Sequence, residues 1–404
     1  MIRLSSICIL LFLAMGLMAQ VRMSSAEISY LYNQENEFLV QHKVASSEDR
    51  VKVYLRFILN SGNVKISDYR ISYDLRASYI DEKAVNSSVT IDSANVVDVA
   101  FRQYVYAFEF EKESNDNLIV IDFYNAARDK RFSLDIPLKI KDWTPASHLI
   151  FQANKDIPYF DKYINKDFPI RIVNVFDNSD SFEINGVNSN KNVAMPPFDD
   201  SDMQTASDIP LDTLYGVTNG EEFRFYNNGF HTIRSSSQPE KELGIIVTDE
   251  VHPYFDNYRD LIDPLIYVST NDEFKDMQAA TDDREAFEAF VSNTISSNEQ
   301  IGKDFIKYYY RRVRKSARLF SENQAGWKTD RGMIYQVFGN PAQVFRNEST
   351  ELWVYPSSTG GRVKYIFDIV VEDGITKYKL IRDKRYRENW MRAVTQWRSG
   401  RIIE

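Results

Sequence analysis

The side chains best suited to acid–base, nucleophilic or metal chemistry are sparse in this sequence and poorly spaced for it. The four histidines are His42, His148, His231 and His252, and none has the His-Glu-x-x-His spacing that places two metal ligands on one helix face. The chain has no Gly-x-Ser-x-Gly turn for a serine nucleophile and no Gly-x-x-x-x-Gly-Lys-Ser/Thr loop for phosphate. We therefore expect a protein that is not an enzyme, with no catalytic, cofactor-binding or metal-binding residue.

Acidic side chains are plentiful, and several of them lie in the proline-containing stretch 196–212. The aspartates of this stretch are Asp199, Asp200, Asp202, Asp208 and Asp212. Oxygen-rich loops hold calcium, but this stretch lacks the alternating spacing and the central glycine of a dedicated Ca²⁺ loop. A solvated loop is favoured, and calcium binding is the alternative. Two carboxylates in a cleft would also suffice for glycoside hydrolysis, which sequence spacing does not test.

The chain of 404 residues begins with a pattern that is typical of an export signal. Arg3 precedes the apolar stretch from Leu4 to Met18, and cleavage is expected after Ala19 or Gln20. The only cysteine, Cys8, lies inside this stretch and comes too early for lipidation at the cleavage site. We therefore expect an exported protein, periplasmic or associated with the outer membrane, that is not a lipoprotein. A net charge of −9 argues against nucleic acid as a partner.

A helical period appears after residue 271 and continues to about residue 323. In its longest segment, 298–323, apolar side chains recur every three or four residues and predict a buried stripe, formed by Phe305, Tyr309, Val313, Ala317 and Phe320. The other side of this helix is basic, with Lys307, Arg311, Arg314, Lys315 and Arg318. Such a face either binds an anionic partner, for example lipid headgroups or an acidic protein surface, or is solvated.

The last residues of the chain predict a short amphipathic helix. Trp390 and Trp397 share one of its faces, and arginines surround that face. Tryptophan beside arginine suits a membrane interface or a protein-binding hot spot. The alternative is a helix that packs back on its own sheet. Trp390 and Trp397 are therefore possible interaction residues, in addition to the five basic side chains of the long helix.

Up to residue 250 the pattern is that of short strands separated by turns. Residues 21–141 predict a β-sandwich of immunoglobulin-like type, and residues 148–250 predict a second one after a short linker. The region 261–404 differs, with a short apolar strand at 261–268, helices within 272–323, then antiparallel strands and the C-terminal helix. Asp373-Gly374 between two apolar runs predicts a hairpin. The predicted fold class is mainly β followed by an α+β module.

The heptapeptide Gly-Trp-Lys-Thr-Asp-Arg-Gly, which starts at Gly326, joins the long helix to the elements that follow. Gly326 is expected to cap that helix in the left-handed conformation, and Thr329 to cap the next element. Trp327 is expected to fill the junction, because its ring is large and mostly apolar. Asp330 and Arg331 are expected to pair with each other and hold the joint. A structural role is favoured for this stretch over a chemical one.

The heptapeptide and its flanks, from about residue 261 to residue 355, resemble the GWxTD-domain family of Gram-negative envelope proteins. The residues that carry the resemblance include the heptapeptide itself, with Gly326, Trp327, Thr329, Asp330, Arg331 and Gly332, and beyond it Gly339, Pro341, Trp353 and Tyr355. The order of helices, Gly-x-Pro and antiparallel strands is also similar to the small fold of the BamE/SmpA lipoproteins of outer-membrane protein assembly. The first resemblance implies an exported envelope protein.

These observations favour a non-enzymatic scaffold or adaptor of an outer-membrane or secretion complex. It would dock envelope or outer-membrane proteins through the GWxTD module, and its basic and tryptophan-bearing helices would face a protein or a membrane surface. The alternative is a secreted protein that binds or hydrolyses glycans with aromatic residues of its β domains, since the chain has 24 Tyr and 26 Phe. Adaptor function would map to the C-terminal module, and glycan function to a cleft in a β domain.

Overall fold

The computed structural model describes residues 26–32, 36–60, 64–80, 89–188, 193–199, 209–357 and 360–401. The predicted export signal, with its cleavage region near Ala19 and Gln20, lies outside these residues, as do Asp200, Asp202 and Asp208 of the acidic stretch. Strands predominate up to residue 248, and the α-helices follow from residue 258. The predicted fold class, mainly β followed by α+β, is confirmed.

The first β unit consists of two antiparallel sheets packed face to face. The first strands of the chain are β1 (Ala26–Glu27), β2 (Phe38–Ser46), β3 (Arg50–Leu59), β4 (Arg70–Arg76), β5 (Val89–Ile91), β6 (Val96–Ala100), β7 (Gln103–Glu111), β8 (Leu118–Asn125) and β9 (Lys130–Pro137). One sheet has the order β2-β3-β7-β6 and the other β5-β4-β8-β9. Phe57 of β3 and Phe123 of β8 contact across the sheets, with ring centroids 5.6 Å apart, in one shared core. This arrangement is a β-sandwich.

The second β unit has a three-stranded and a five-stranded sheet. Its strands are β10 (His148–Gln152), β11 (Tyr163–Asn165), β12 (Ile170–Asn174), β13 (Ser181–Asn188), β14 (Ile209–Thr218), β15 (Glu222–Phe223), β16 (Gly229–Ser235) and β17 (Glu242–Thr248). The sheet orders are β10-β12-β15 and β11-β17-β16-β13-β14. Ile172 and Ile184, from different sheets, are fully buried in one core. Asp212 lies in β14, so the prediction of a loop up to that residue is wrong, because the backbone there pairs with β13.

The C-terminal region packs helices on one antiparallel sheet. Its helices are α1 (Tyr258–Ile262), α2 (Asn271–Ala279), α3 (Asp283–Phe290), α4 (Glu299–Phe320), α5 (Asp330–Phe338) and α6 (Arg387–Arg398), and its strands are β18 (Gln343–Arg346), β19 (Thr350–Pro356), β20 (Arg362–Glu372) and β21 (Ile375–Leu380). β20 and β21 pair through the predicted turn, where Asp373 and Gly374 both have positive φ values, 54° and 72°. Two such residues form the turn whose twist matches a hairpin.

Two predictions for this region are wrong. Residues 261–268 are helical, not a strand: they fall in α1 and a 3₁₀ segment at Asp263–Tyr267. The side chain of Asn257 accepts from the N–H of Asp260 and so starts α1, a cap that favours helix over strand. Between residue 323 and the C-terminal helix only strands were expected, but α5 begins inside the heptapeptide, at Asp330. Every residue from 331 to 337 is buried, so the sequence of α5 has no polar face that would reveal a helical period.

The N-terminal segment 26–32, which was predicted to be part of the first sandwich at 21–141, adds a strand to the C-terminal sheet, while Tyr30 and Leu31 also pack against the core of the sandwich. β1 pairs with β18, so the sheet order is β1-β18-β19-β20-β21. Ile28 and Tyr32 are buried in the core of the C-terminal region. A two-residue strand that pairs with a partner far along the chain leaves no local pattern, so sequence periodicity does not reveal it.

Candidate functional site

The glycines of the heptapeptide are required by close backbone packing. Gly326 was expected to cap α4, but that helix ends at Phe320, so the expectation is wrong. A Cβ atom at Gly326 would lie 2.1 Å from the carbonyl oxygen of Ser316, and one at Gly332 would lie 1.8 Å from the carbonyl oxygen of Gly326. Both contacts are with backbone that cannot swing aside. Glycine is therefore needed at both positions so that α4 and α5 can approach each other.

Thr329 and Trp327 fix the start of α5. The Thr329 Oγ1 accepts from the N–H of Gly332 at 3.1 Å and donates to the carbonyl of Gly326 at 2.8 Å. This is the N-cap contact that the sequence predicts. Trp327 is buried, and its carbonyl accepts from Nε2 of Gln336 at 2.8 Å. The side chain of Gln336 thus satisfies a buried carbonyl at the junction between the two helices.

Asp330 and Arg331 do not pair with each other, contrary to expectation. Consecutive residues of a helix point in different directions, and these two meet different partners. Asp330 Oδ1 lies 2.6 Å from Nη2 of Arg382, and Asp330 Oδ2 accepts from the N–H of Leu380 at 2.7 Å. Arg331 points into the core, with Nη1 3.4 Å from Oε1 of Glu351. The motif therefore joins α5 to β21 on one side and to β19 on the other.

Glu351 is the centre of a buried polar cluster that sequence analysis missed. It accepts from Oη of Tyr32 at 2.9 Å, Nε1 of Trp353 at 2.8 Å and Nη2 of Arg346 at 2.8 Å. Burial would raise the pKa of Glu351, but Arg346 and Arg331 hold that pKa below its ordinary value. One signal in the sequence could have revealed that Glu351 points into the core. Alternate residues of a strand share a face, and Glu351 lies two residues before Trp353.

The same cluster ties the first β unit to the C-terminal region. Nη1 of Arg346 lies 3.2 Å from Oδ1 of Asp135 on β9, and Oη of Tyr79 donates to Oδ2 of Asp135 at 2.6 Å. Arg346 thus bridges two carboxylates that belong to different units, Asp135 and Glu351. A buried charge is tolerated only when it has several partners, and the guanidinium of Arg346 has a carboxylate on each side.

The remaining motif residues are also structural in their surroundings. Gly339 ends α5 with a φ of 81°, a left-handed conformation that favours glycine. Its carbonyl accepts from Oη of Tyr355 at 2.8 Å. Pro341 is buried beside this contact, and Trp353 is fully buried in the core behind the sheet. The residues of the motif therefore form a packed joint and do not line an open cleft together.

The family to which this joint belongs is shown by comparison with known proteins. The profile of the GWxTD domain matches residues 229–399. The chain contains a GWxTD domain. The matched region begins at β16 and so includes two strands of the second β unit, where the N–H of Gly244 donates to the carbonyl of Gly374 at 3.1 Å. No curated protein matches the chain.

The C-terminal helix of the GWxTD domain packs back on its own core. Trp397 is 1% exposed and donates from Nε1 to the carbonyl of Val337 at 3.1 Å, and Trp390 is 4% exposed. The prediction that Trp390 and Trp397 are interaction residues is therefore wrong, since a buried ring is not available to a partner. Among the described residues, no helix is both long and apolar enough to cross a membrane, and no group of three or more His, Cys, Asp or Glu is placed to hold a metal ion.

The outer side of α4 keeps its predicted basic character. We call the five residues Lys307, Arg311, Arg314, Lys315 and Arg318 the basic face. Lys307, Arg311 and Arg318 are exposed, and the other two are half-buried. Tyrosine rings lie among them, with Cζ of Arg311 4.8 Å from the ring centre of Tyr308 and Cζ of Arg314 5.8 Å from that of Tyr254. The basic face is therefore a mixed cationic and aromatic surface.

No residue of the basic face forms an ion pair with a carboxylate anywhere in the described part of the chain. Burial, together with the neighbouring charges of Arg311 and Arg312, lowers the pKa of Lys315 to about 8. Like charges without counter-charges repel one another, so these positions are unfavourable unless water, salt or a partner compensates. An anionic surface would supply that compensation.

Proposed function

We propose that the protein is an exported, non-enzymatic scaffold or adaptor of a cell-envelope complex and that its GWxTD domain docks an acidic protein surface through the basic face. The observation that carries the proposal is the set of cations on one side of α4 that have no acidic partner within the described residues. The chain as a whole is acidic, with a net charge of −9, so this surface contrasts with its surroundings. Opposite charge on a partner would steer its approach and fix its orientation.

The aromatic rings beside these cations support a protein partner. Tyr254 is 66% exposed and lies against Arg314, and Tyr308 lies between Lys307 and Arg311. Tyrosine and arginine are enriched at the centres of protein–protein interfaces, where the ring provides contact area and the guanidinium provides directed hydrogen bonds. The buried motif contributes to docking only indirectly. It holds α4 in place on the rest of the domain, and α4 carries the basic face.

The test is co-isolation of tagged mature protein with envelope proteins after crosslinking in cells. The variant carries Lys307→Glu, Arg311→Glu and Arg314→Glu, which reverse the charge at the centre of the basic face. The matched control carries Lys65→Glu, Arg70→Glu and Lys139→Glu, three exposed cations of the first β unit that form no ion pair in the described residues.

We expect defined envelope partners with the wild type and the control, and loss of those partners with the basic-face variant. Arg318 is left unchanged in the variant because it also lines an internal cavity. The same partners recovered from all three proteins would show that docking occurs elsewhere. If the wild type itself recovers no envelope partner, the adaptor function is wrong.

A second candidate, glycan binding, rests on one surface of the second β unit. A depression of about 470 Å³ is lined by Tyr215, Phe223 and Tyr226, with Glu221 and Glu222 beside them. Tyr226 is 62% exposed, and an exposed ring can stack on the apolar face of a sugar. A glycan array separates the two candidates: binding that Tyr226→Ala abolishes and the basic-face variant retains would favour the glycan function.

A further inference from the structure

A cavity of about 410 Å³ lies where the two β units, the linker between them and the GWxTD domain meet. Its wall includes β2 and β9 of the first unit, β10 and β17 of the second, the end of α4 and the hairpin of β20 and β21. Ligand pockets in proteins usually have volumes of about 300–1,000 Å³. This cavity therefore has the size of a small-molecule site, and its lining comes from segments far apart in the sequence.

Positive charge dominates the polar lining of the cavity. Its basic side chains are Lys43, Lys162, Arg318, Arg331 and Arg346, and its acidic ones are Glu242 and Glu322. Some of these charges are already compensated, since Arg346 is bound by Asp135 and Glu351, and Glu242 is paired with Arg234. Arg331 shares Glu351 and lies 3.7 Å from Glu322, while its Nε donates no hydrogen bond within the described residues.

Lys43 and Lys162, like Arg318, are cations of the lining that have no directly paired carboxylate in the described part of the chain. Neither lysine forms an ion pair or a side-chain hydrogen bond with any residue that the structure describes. Lys162 is exposed and Lys43 is half-buried, and both side chains line the cavity. The nearest carboxylates act on them without direct contact, Asp161 on Lys43 and Glu322 and Glu351 on Lys162, and ammonium groups in such a lining concentrate at functional sites.

The rest of the wall is largely apolar. Leu31, Phe160, Leu319, Ile369 and Ile375 line it between the charged positions. A ligand that fills such a space must combine an apolar body with a negatively charged group. Many small-molecule sites have this composition, with apolar walls that bury the ligand and a few polar groups that orient it.

We propose that this cavity binds a small amphipathic anion, whose carboxylate or phosphate head is held by Lys43 and Lys162 and whose apolar body lies against the aliphatic wall. Because both β units and the GWxTD domain contribute to the wall, a bound ligand would contact all three. A ligand that binds the folded chain and not the unfolded one would therefore stabilise the arrangement of the three units by mass action.

The electrostatics of the cavity predict the pH dependence of binding. Burial lowers the pKa of Lys162 to about 7 and that of Lys43 to about 8. An anion favours the charged forms, so its affinity should fall as the pH rises through these values. Glu322 should also lower the affinity as the pH rises. Burial raises its pKa to about 7, and its ionisation adds a negative charge that repels the anion. The groups that face the two lysines are His42, Arg56, Asp161, Arg331, Arg346, Glu322 and Glu351.

The test is isothermal titration calorimetry of the mature chain with four probes. Decanoate and decyl phosphate combine an apolar chain with an anion, and whichever binds more tightly identifies the preferred head group. Inorganic phosphate has the anion alone, and decyltrimethylammonium has the chain with a positive charge. We expect saturable 1:1 binding of an amphipathic anion, at least about tenfold tighter than either comparison probe. Its affinity should fall about tenfold from pH 6.5 to pH 9.

The double variant Lys43→Met, Lys162→Met should weaken binding of the anion by about tenfold or more with little change in the unfolding temperature, because neither lysine has an ion pair or a side-chain hydrogen bond in the described residues to lose. The matched control is Lys52→Met, Lys166→Met, two surface lysines that pair with Glu109 and Asp249. It should bind as the wild type does. Equal binding of decyltrimethylammonium and decanoate, unchanged affinity in the Lys43/Lys162 variant, or no binding by any probe would overturn the proposal.

Discussion

The two sides of the GWxTD domain use arginine in opposite ways. Inside, around α5 and β19, two arginines meet carboxylates: Arg382 pairs with Asp330, and Arg346 with Glu351 and with Asp135 of the first β unit. Outside, on α4, the basic face has no carboxylate partner among the described residues. Paired and buried cations hold the units together, whereas unpaired and accessible ones are available to something else.

This contrast separates the motif residues, which identify the domain, from the residues of the basic face, which are available to bind a partner. The heptapeptide is distinctive because two helices approach closely there and side chains bond the backbone carbonyls of Gly326 and Trp327. Substitution at the inner joint should therefore change stability, and substitution at the basic face should change binding with little effect on stability.

The largest effect is expected for Trp327→Ala. Trp327 is 6% exposed, and removing its ring leaves a cavity at the joint between α4 and α5. We expect a loss of about 3–5 kcal/mol in the free energy of unfolding. Chemical denaturation of the mature chain measures this, with Trp327→Phe as the milder control. An unchanged unfolding midpoint would mean that the ring is exposed and contacts a partner instead.

Glu351→Gln should cost somewhat less, about 3 kcal/mol, because it leaves the charges of Arg331 and Arg346 without their shared carboxylate. The matched control is Glu109→Gln, whose partners Arg50 and Lys52 are both accessible to solvent, and it should cost less than about 1 kcal/mol. Denaturant titration of both variants tests the difference. Equal losses would show that the inner cluster does not hold the joint.

Thr329→Ala should have a smaller effect, about 1 kcal/mol, because it removes the side chain that caps α5. Thr329→Ser keeps the hydroxyl and should recover most of the loss. Thermal unfolding of the three proteins under identical conditions is the measurement. If serine restores nothing, the methyl group and not the hydrogen bond is what matters at this position.

The smallest effect on stability, within about 0.5 kcal/mol, is expected for Arg311→Ala on the basic face. Its side chain is exposed and lies beside the ring of Tyr308. The unfolding free energy of this variant, measured beside Glu351→Gln, sharpens the comparison between the two sides of the domain. A loss as large as that of the inner variant would mean that the basic face is part of the fold.

Part of this organisation could be read from the sequence. The alternation of short strands and turns predicted the mainly β part, and the turn at Asp373-Gly374 predicted its hairpin, because both signals are local. The buried stripe of α4 was likewise visible at three- and four-residue spacing, and Phe305, Tyr309 and Phe320 are buried. Local periodicity was sufficient wherever an element has one buried and one solvated face.

The errors have physical causes. α5 is buried on all sides and shows no period, and β1 pairs with a strand more distant than any local pattern reaches. Trp390 and Trp397 have the same sequence pattern whether they meet a membrane, a partner or their own core, and only the fold decides. The polar cluster around Glu351 and the cavity beside Lys162 arise from long-range contacts, so spacing in the sequence does not predict them.

The most direct test of the central claim is site-specific photo-crosslinking in cells from position 308, where Tyr308→p-benzoylphenylalanine keeps an aromatic ring in the middle of the basic face. The control carries the same group at Tyr226, an exposed ring of the second β unit. We predict a discrete crosslinked envelope protein from position 308 that is absent from position 226 and is lost when Lys307, Arg311 and Arg314 are reversed. The same products from both positions, or none from position 308, would contradict the account.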